Sequence, residues 1–247
     1  MTDYAVRITR LNYTYPDGTK ALEEIDFDVR VGETVAIVGP SGAGKSTLLL
    51  HLNGVLSGSG LVRIMGLNLS PSNLKQIRRQ VGLLFQDPND QLFCPTVFED
   101  VAFGPLNLSV PPDDIPARVE KALKDSGLNR SIRSRTSHHL SLGERKRVSL
   151  ATVLAMQPEI LGMDEPTSNL DPGNRRHLTE VILGLKATLI VASHDLEFVL
   201  NVCSRTVLMD NGKIWADGET RSILGNSQLM EAHGLEVPLS LQLGTRC

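Results

Sequence analysis

Residues 39–47 read GPSGAGKST, and few stretches restrict a fold so tightly. The run ETVAIVG leading into it is short, apolar and rich in β-formers, which reads as a buried strand ending at Gly39. The run STLLLHLNGVL at its other end has helical character. In that setting the pattern G-x-x-x-x-G-K-[ST] marks a nucleotide phosphate loop. Its glycines let the backbone wrap around phosphates and aim N–H groups at them. The helix that follows adds the positive end of its dipole. Lys45 is expected to reach the β- and γ-phosphates, and Ser46 to offer a hard oxygen to Mg2+. A glycine-rich turn that binds nothing would have no use for Lys and Ser in this register.

Strand and helix signals alternate along the rest of the chain. AVRITRLNYTY and ALEEIDFDVR read as strands joined by the turn YPDG. LVRIMG, VGLLF, EILGMDE, ATLIVASH and RTVLMD read as further strands. From about Pro88 to Met156 strand signals stop, and VFEDVAFGPLNL, IPARVEKALKDSG and ERKRVSLATVLAM read as helices. The tail after Trp215 is expected to form a short helical cap. The alternation predicts an α/β fold with a mostly parallel sheet, a helical insertion and an antiparallel β-piece at the N-terminus. One domain over 1–247 is expected, with 1–87 and 157–218 as the nucleotide-binding core, 88–156 as a helical subdomain and 219–247 as the cap.

Composition argues against some partners. A net charge of −3 gives no electrostatic reason to expect nucleic acid. No apolar run approaches the ~20 residues that span a bilayer, and MTDYAVRITR does not read as a signal peptide. Cys94, Cys203 and Cys247 are odd in number and lack CxxC spacing, which fits reduced thiols in a cytosolic protein. Membrane contact, if any, is expected through a partner.

A second chemical signal is EILGMDEP, residues 159–166, a strand ending in two acids. Asp164 is placed to help hold Mg2+ near Ser46, and Glu165 to polarise an attacking water. Alone, such a tip is ordinarily just solvated. Paired with the phosphate loop at this separation, it reads as the other half of a site. Gln86 follows the strand VGLLF as another oxygen donor for the metal or its water, and as a plain loop residue otherwise. His194 follows ATLIVAS, where an imidazole can contact the γ-phosphate. LSLGERKR, residues 140–147, is a charged knot with no meaning of its own.

Taken in order, GPSGAGKST, Gln86, LSLGE, ILGMDEP, SNLD and His194 resemble the nucleotide-binding domain of an ATP-binding cassette (ABC) protein, from Tyr15 to about Gly218. The resemblance implies a P-loop NTPase core of RecA-like form with an antiparallel β-subdomain and an inserted helical subdomain. It implies that Gly39, Pro40, Ser41, Gly42, Ala43, Gly44, Lys45, Ser46 and Thr47 line the phosphates of ATP. Ser46, Gln86 and Asp164 would serve Mg2+, Glu165 would be the catalytic base, and His194 the γ-phosphate switch beside Lys45. Tyr15 resembles the aromatic that stacks on adenine, with Tyr13 as a rival and a strand-surface role left open. SNLD, residues 168–171, resembles a loop that crosses a dimer interface, although Asp171 before Pro172 is also a good helix N-cap.

LSLGE stands where the family's signature is usually LSGGQ. There it opens a helix facing the γ-phosphate of ATP held by a second ATPase subunit, so that two chains, expected to be identical, trap two ATP. Leu142 replaces a Gly and is expected to turn away from the nucleotide. Glu144 replaces Gln, and a carboxylate suits ribose hydroxyls better than phosphate. Ser141 and the Gly143 N–H are the parts suited to phosphate. Arg145, Lys146 and Arg147 are expected to form a solvated or docking face rather than a nucleotide contact.

The runs FQDPNDQLFCPTVFEDVAFGPLNL, YTYPDGTKAL, LLLHLNGVL and HDLEFVLNVCSRTVLMDNGKIWADG are similar to ATPases of energy-coupling-factor (ECF) transporters, nearest the cobalt/nickel type. That resemblance implies a membrane coupling subunit and a substrate-binding membrane subunit as partners, and a place on the cytoplasmic face of the membrane. Phe93, Val97, Phe98 and Asp100 would suit the docking groove, or equally an ordinary helical core. His51, His138, His139, His177 and His233 show no ligand spacing, so cobalt or nickel rests on resemblance alone. A vitamin-type ECF ATPase is the alternative. A DNA-repair or chromosome-organising ATPase would need a long coiled coil that the sequence lacks. A regulatory module that only holds ATP would have no use for Glu165 and His194.

Overall fold

The computed structural model describes residues 3–244, so Cys247 lies outside the described residues. Two long strands, β1 (Tyr4–Thr14) and β2 (Lys20–Arg30), pair antiparallel around the expected turn, where the Gly18 N–H donates to the Tyr15 carbonyl at 2.9 Å. β3 (Thr34–Val38) runs into the phosphate loop and α1 (Lys45–Leu52). β4 (Ser59–Ile64) and β5 (Leu67–Asn68) then extend the first pair into an antiparallel sheet of order β2-β1-β4-β5. Alternation along β1 puts Val6 and Ile8 inside and Arg7 and Thr9 outside, the period-two signature of a half-buried sheet.

After α2 (Leu74–Gln80) and β6 (Val81–Leu84) the chain turns helical, with α3 (Val97–Asn107), α4 (Ile115–Asp125) and α5 (Leu142–Leu154). It returns through β7 (Ile160–Asp164), α6 (Pro172–Leu183), β8 (Thr188–Ala192), α7 (Leu196–Val202), β9 (Arg205–Asp210) and β10 (Lys213–Glu219). Three short helices close the described chain: α8 (Thr220–Leu224), α9 (Ser227–Ala232) and α10 (Leu239–Gly244). The second sheet has the order β10-β9-β3-β8-β7-β6, parallel except for β10. Its central strands β3 and β8, TVAIV and TLIVA, are apolar after their first residue, as a sheet covered on both faces requires. The expected helical tail is formed by α8 to α10, but it begins after β10, which contains Trp215. The β9–β10 hairpin turns at Asn211-Gly212, a sequence suited to a tight two-residue turn.

Three buried clusters organise the packing. One joins the antiparallel sheet to α1 and β3, and a second lies between β7, β8, β9 and helices α6 and α7. A third belongs to the helical insertion, with Val97, Val101, Val119 and Leu123. α5 is the shared wall, because Leu150 and Val153 enter the second cluster while Val148, Ala151 and Ala155 enter the third. Truncating fully buried Leu150 to Ala would cost roughly 2–5 kcal/mol by transfer and cavity terms.

Candidate functional site

The parallel strands β3, β6, β7 and β8 deliver the expected site residues at their carboxyl ends, where open α/β sheets bind ligands. β3 leads to Gly39–Thr47, β6 to Gln86, β7 to Asp164 and Glu165, and β8 to His194. The phosphate loop leans on the hairpin of the last two strands. A Cβ at Gly39 would collide with the Met209 carbonyl oxygen, and φ there is +153°, so only glycine fits. The Gly212 N–H donates to the Ala43 carbonyl at 3.1 Å, and the Ala43 N–H to the Pro40 carbonyl at 3.2 Å. Ser41 and Gly42 form the exposed crest.

Gly44 is the N-cap of α1 in a left-handed conformation and offers no side-chain cap. The first-turn N–H groups of α1 are therefore left to an external acceptor. Lys45 is buried and its Nζ donates to the Gly39 and Pro40 carbonyls at 2.7 and 2.9 Å, holding the loop curled around itself. Burial lowers its pKa, with Glu165 and Asp164 opposing the shift. Tyr15 lies just past β1 and its hydroxyl bonds Thr47 Oγ1 at 2.9 Å, which sets its ring beside the first turn of α1. Tyr13 instead packs edge-on against Tyr15 and His51, with centroids 5.0 and 4.9 Å apart. His51 is wholly buried and bonds the Thr47 carbonyl, so its role is in the core.

Asp164 has one carboxylate oxygen, Oδ1, buried without a hydrogen-bond partner. Burial raises its pKa, while a hydrogen bond from Ser46 and the nearby charges of Lys45 and Lys146 pull it down. An orphaned anionic oxygen beside a serine hydroxyl is a donor set that fits a hard divalent cation such as Mg2+. Gln86 is exposed and lines a cleft with Leu142, Lys146 and Asn169.

Glu165 occupies the turn after β7 with φ +45°, a left-handed conformation that costs a side-chain-bearing residue of order 1 kcal/mol or more. Its carboxylate accepts from the His194 N–H at 3.0 Å and from the Ser193 hydroxyl at 3.2 Å. His194 Nδ1 sits 2.8 Å from Glu165 Oε2, although its ring is 67% exposed. The base and the γ-phosphate switch inferred from sequence are thus in direct contact.

The signature helix changes one expectation outright. Lys146 is not part of a solvated face. It is 4% exposed, and its Nζ donates to the Glu165 carbonyl at 3.0 Å and the Ser168 hydroxyl at 2.8 Å. Burial pushes its pKa down to about 8, against the opposing pull of Glu165, Asp87 and Asp164. Arg145 and Arg147 are half-buried, Arg145 bonding Asn89 Oδ1 at 2.9 Å. The spacing held the clue, since Gly143, Lys146, Leu150 and Val153 share the inward stripe of α5.

Ser141 and Glu144 form a reciprocal capping box. Ser141 N–H donates to Glu144 Oε2 at 2.9 Å, and Glu144 N–H donates to Ser141 Oγ at 3.2 Å. This bond to the Ser141 N–H holds the Glu144 carboxyl below its usual range, and Arg135 lies 3.5 Å away. Gly143 is buried against the Asn174 side chain of α6, close enough that a Cβ there would strike it. Asn174 is itself gathered by Asp171, which caps α6 through the Gly173 and Asn174 N–H groups. Of the four groove residues expected, Val97 and Asp100 are core and Phe98 is half-buried, leaving Phe93 at the surface. Phe93 and Phe103 meet edge-to-face at 4.9 Å with Leu106 also exposed, an apolar patch that the reading of FQDPNDQLF only half located.

The model of the family described as ABC transporter matches residues 22–168. The chain belongs to the ABC transporter ATP-binding family. It is an ATPase of that family, and no helix among the described residues is long and apolar enough to cross a membrane. The energy-coupling factor transporter ATP-binding protein EcfA of Carboxydothermus hydrogenoformans is 46% identical over 243 residues, covering 97% of this chain and 89% of that one. The structure of CbiO1 from Clostridium perfringens, part of the ABC transporter complex CbiONQ, is 35% identical with a TM-score of 0.83. It covers 99% of this chain and 100% of its own. The ATP-binding cassette MJ0796, a dimer in a post-hydrolysis state bound to ADP and Pi, gives a TM-score of 0.79 at 26% identity. That match covers 87% of this chain and 99% of the other.

Proposed function

We propose that this ABC ATPase works as one half of a head-to-tail pair that traps two ATP and energises import through an ECF-type membrane transporter, with cobalt or nickel ions as cargo. The observation that carries the proposal is the set of groups at the carboxyl ends of one sheet: the open α1 terminus with Lys45, the unpartnered Asp164 oxygen and the Glu165–His194 contact. Lys45 and the loop N–H groups hold the β- and γ-phosphates, and Tyr15 supports the base. Ser46 and Asp164, with Gln86, would hold Mg2+, which supplies a Lewis acid for the phosphate oxygens. Glu165 polarises a water that attacks the γ-phosphorus, and the products are ADP and inorganic phosphate. His194 shares its imidazole between Glu165 and the γ-phosphate, so arrival of ATP loosens the hold on the base.

The pair is supported by the dimeric relative that carries ADP and Pi, and by a signature helix whose terminus lies on a different element from the phosphate loop. The transporter reading is supported by the EcfA relative and by the CbiO1 structure. The Phe93–Phe103–Leu106 patch then receives the membrane coupling subunit on the cytoplasmic face. The cargo rests on the similarity of FQDPNDQLF and its neighbours to cobalt/nickel-type ATPases.

Glu165→Gln is expected to retain ATP binding, to lose roughly 10²-fold or more in hydrolysis, and to accumulate as an ATP-dependent species of twice the mass. Undiminished turnover would remove Glu165 from its role, and a monomer at every ATP concentration would remove the pair. Uptake of Co2+ against Ni2+ by vesicles carrying the co-purified membrane subunits decides the cargo.

A further inference from the structure

A lysine ammonium pushed into a protein interior normally finds a carboxylate, because losing its hydration is expensive. Lys146 finds a carbonyl and a hydroxyl instead. Its two partners are themselves bonded, since the Ser168 hydroxyl and backbone N–H both donate to the Glu165 carbonyl, at 2.9 and 3.2 Å. Three donors therefore converge on one carbonyl oxygen, and it belongs to the residue with φ +45° whose side chain meets His194. Fixing that carbonyl fixes the peptide plane from which the Glu165 side chain departs.

At its other end the lysine is rooted in a helix with little freedom. Gly143 is pressed against Asn174, Leu150 and Val153 are locked into the cluster beneath the parallel sheet, and Val148 is locked into that of the helical insertion. An apolar residue would fill the Lys146 position at lower desolvation cost, so its ammonium is a poor device for stability alone. We propose that Lys146 is a positioning residue that couples the signature helix to the Glu165 turn and the start of the SNLD loop. The consequence rests on the head-to-tail pair proposed above. In that pair the terminus of α5 meets the ATP of the partner subunit, whereas Glu165 acts on the ATP of its own chain. Lys146 is then the strut by which occupancy of one site sets the geometry of the base in the other.

Lys146→Met, which keeps length and loses the donors, tests this in the full-length protein with steady-state ATPase assays. The expected result is a fall in kcat of roughly 10- to 10²-fold, the upper end being the cost of a catalytic group misplaced by about 1 Å, with KM for ATP within about twofold. The thermal midpoint is expected to be unchanged or raised. Ser168→Ala is expected to give a smaller loss of kcat, and the double variant to be no worse than Lys146→Met alone, because both act on one carbonyl. Lys146→Arg, which retains donors, is expected to recover part of kcat. Wild-type kcat in Lys146→Met, or multiplicative losses in the double variant, would overturn the proposal. If Lys146→Met does not fold, Ser168→Ala decides, since an unchanged kcat there overturns it equally. The pair itself is read separately, from ATP-dependent doubling of mass in Glu165→Gln with and without Lys146→Met. No doubling in Glu165→Gln alone refutes the pair, whereas doubling in both with normal kcat in Lys146→Met refutes only the strut.

Discussion

The amino termini of α1 and α5 were both expected to meet phosphate, and they are built in opposite ways. α1 begins at a left-handed Gly44 with no side-chain cap, and the loop before it is curled around Lys45. Its orphan N–H groups wait for a ligand. α5 begins with a complete capping box, in which Ser141 and Glu144 satisfy each other. Such a cap is worth about 1 kcal/mol, and a phosphate arriving at α5 has to compete with it. The difference teaches that the chain carries one half-site shaped in advance and one that is content without a ligand. In the proposed pair, an isolated subunit would hold nucleotide at α1 while α5 stays closed on itself until a second chain presents ATP.

The largest test of this contrast is Lys45→Ala. It should weaken ATP binding by roughly 10²-fold or more, as loss of a charge-assisted phosphate contact does, measured by nucleotide titration of the isolated chain. If the proposed pair holds, Ser141→Arg should leave that binding within about twofold yet reduce hydrolysis roughly 10²-fold, because it would block only the terminus facing the partner's ATP. Equal damage to binding and hydrolysis would break the comparison. Glu144→Gln should have the smallest effect, since an amide oxygen can also accept from the Ser141 N–H. Its signature is in acid. The Glu144 carboxyl is held below its ordinary value of 4.5 in the folded chain. Its contribution to stability is therefore complete above that value and is lost as pH falls through the folded pKa. Thermal midpoints followed from pH 7 to pH 3 should converge with those of the variant as the wild type loses its cap, by a few tenths of a kcal/mol at this exposure.

The phosphate loop and the acid-tipped strand were legible in the sequence because each is a local pattern carried by neighbours along the chain. The strand alternation and the helical insertion were legible for the same reason, through their periodicity. Other features depend on approaches that no short window records. The contact of Gly143 with Asn174 joins two helices, and the convergence on the Glu165 carbonyl depends on a left-handed turn that the residue type disfavours. ERKR reads as a charged surface because composition cannot say which of four charged side chains points inward. Only the stripe shared with Gly143 and Leu150 could have singled out Lys146. β10 was missed because the alternation of KIWADGE is blurred by an apolar Trp215 on the outward face and a Gly218 on the inward one, although Asn211-Gly212 announced the turn before it.

The seat of the phosphate loop also sets a timetable for synthesis. β3 has β8 and β9 as its sheet neighbours, and the loop after it is braced by Met209 and by the Gly212 N–H. All of these come from the final quarter of the chain. A nascent polypeptide that has just released GPSGAGKST from the ribosome still lacks the strands that shape it, which follow about 140 residues or more later. Nucleotide capture by this chain therefore follows the emergence of β8, β9 and the Gly212 turn from the ribosome, rather than guiding the folding of the strands before them.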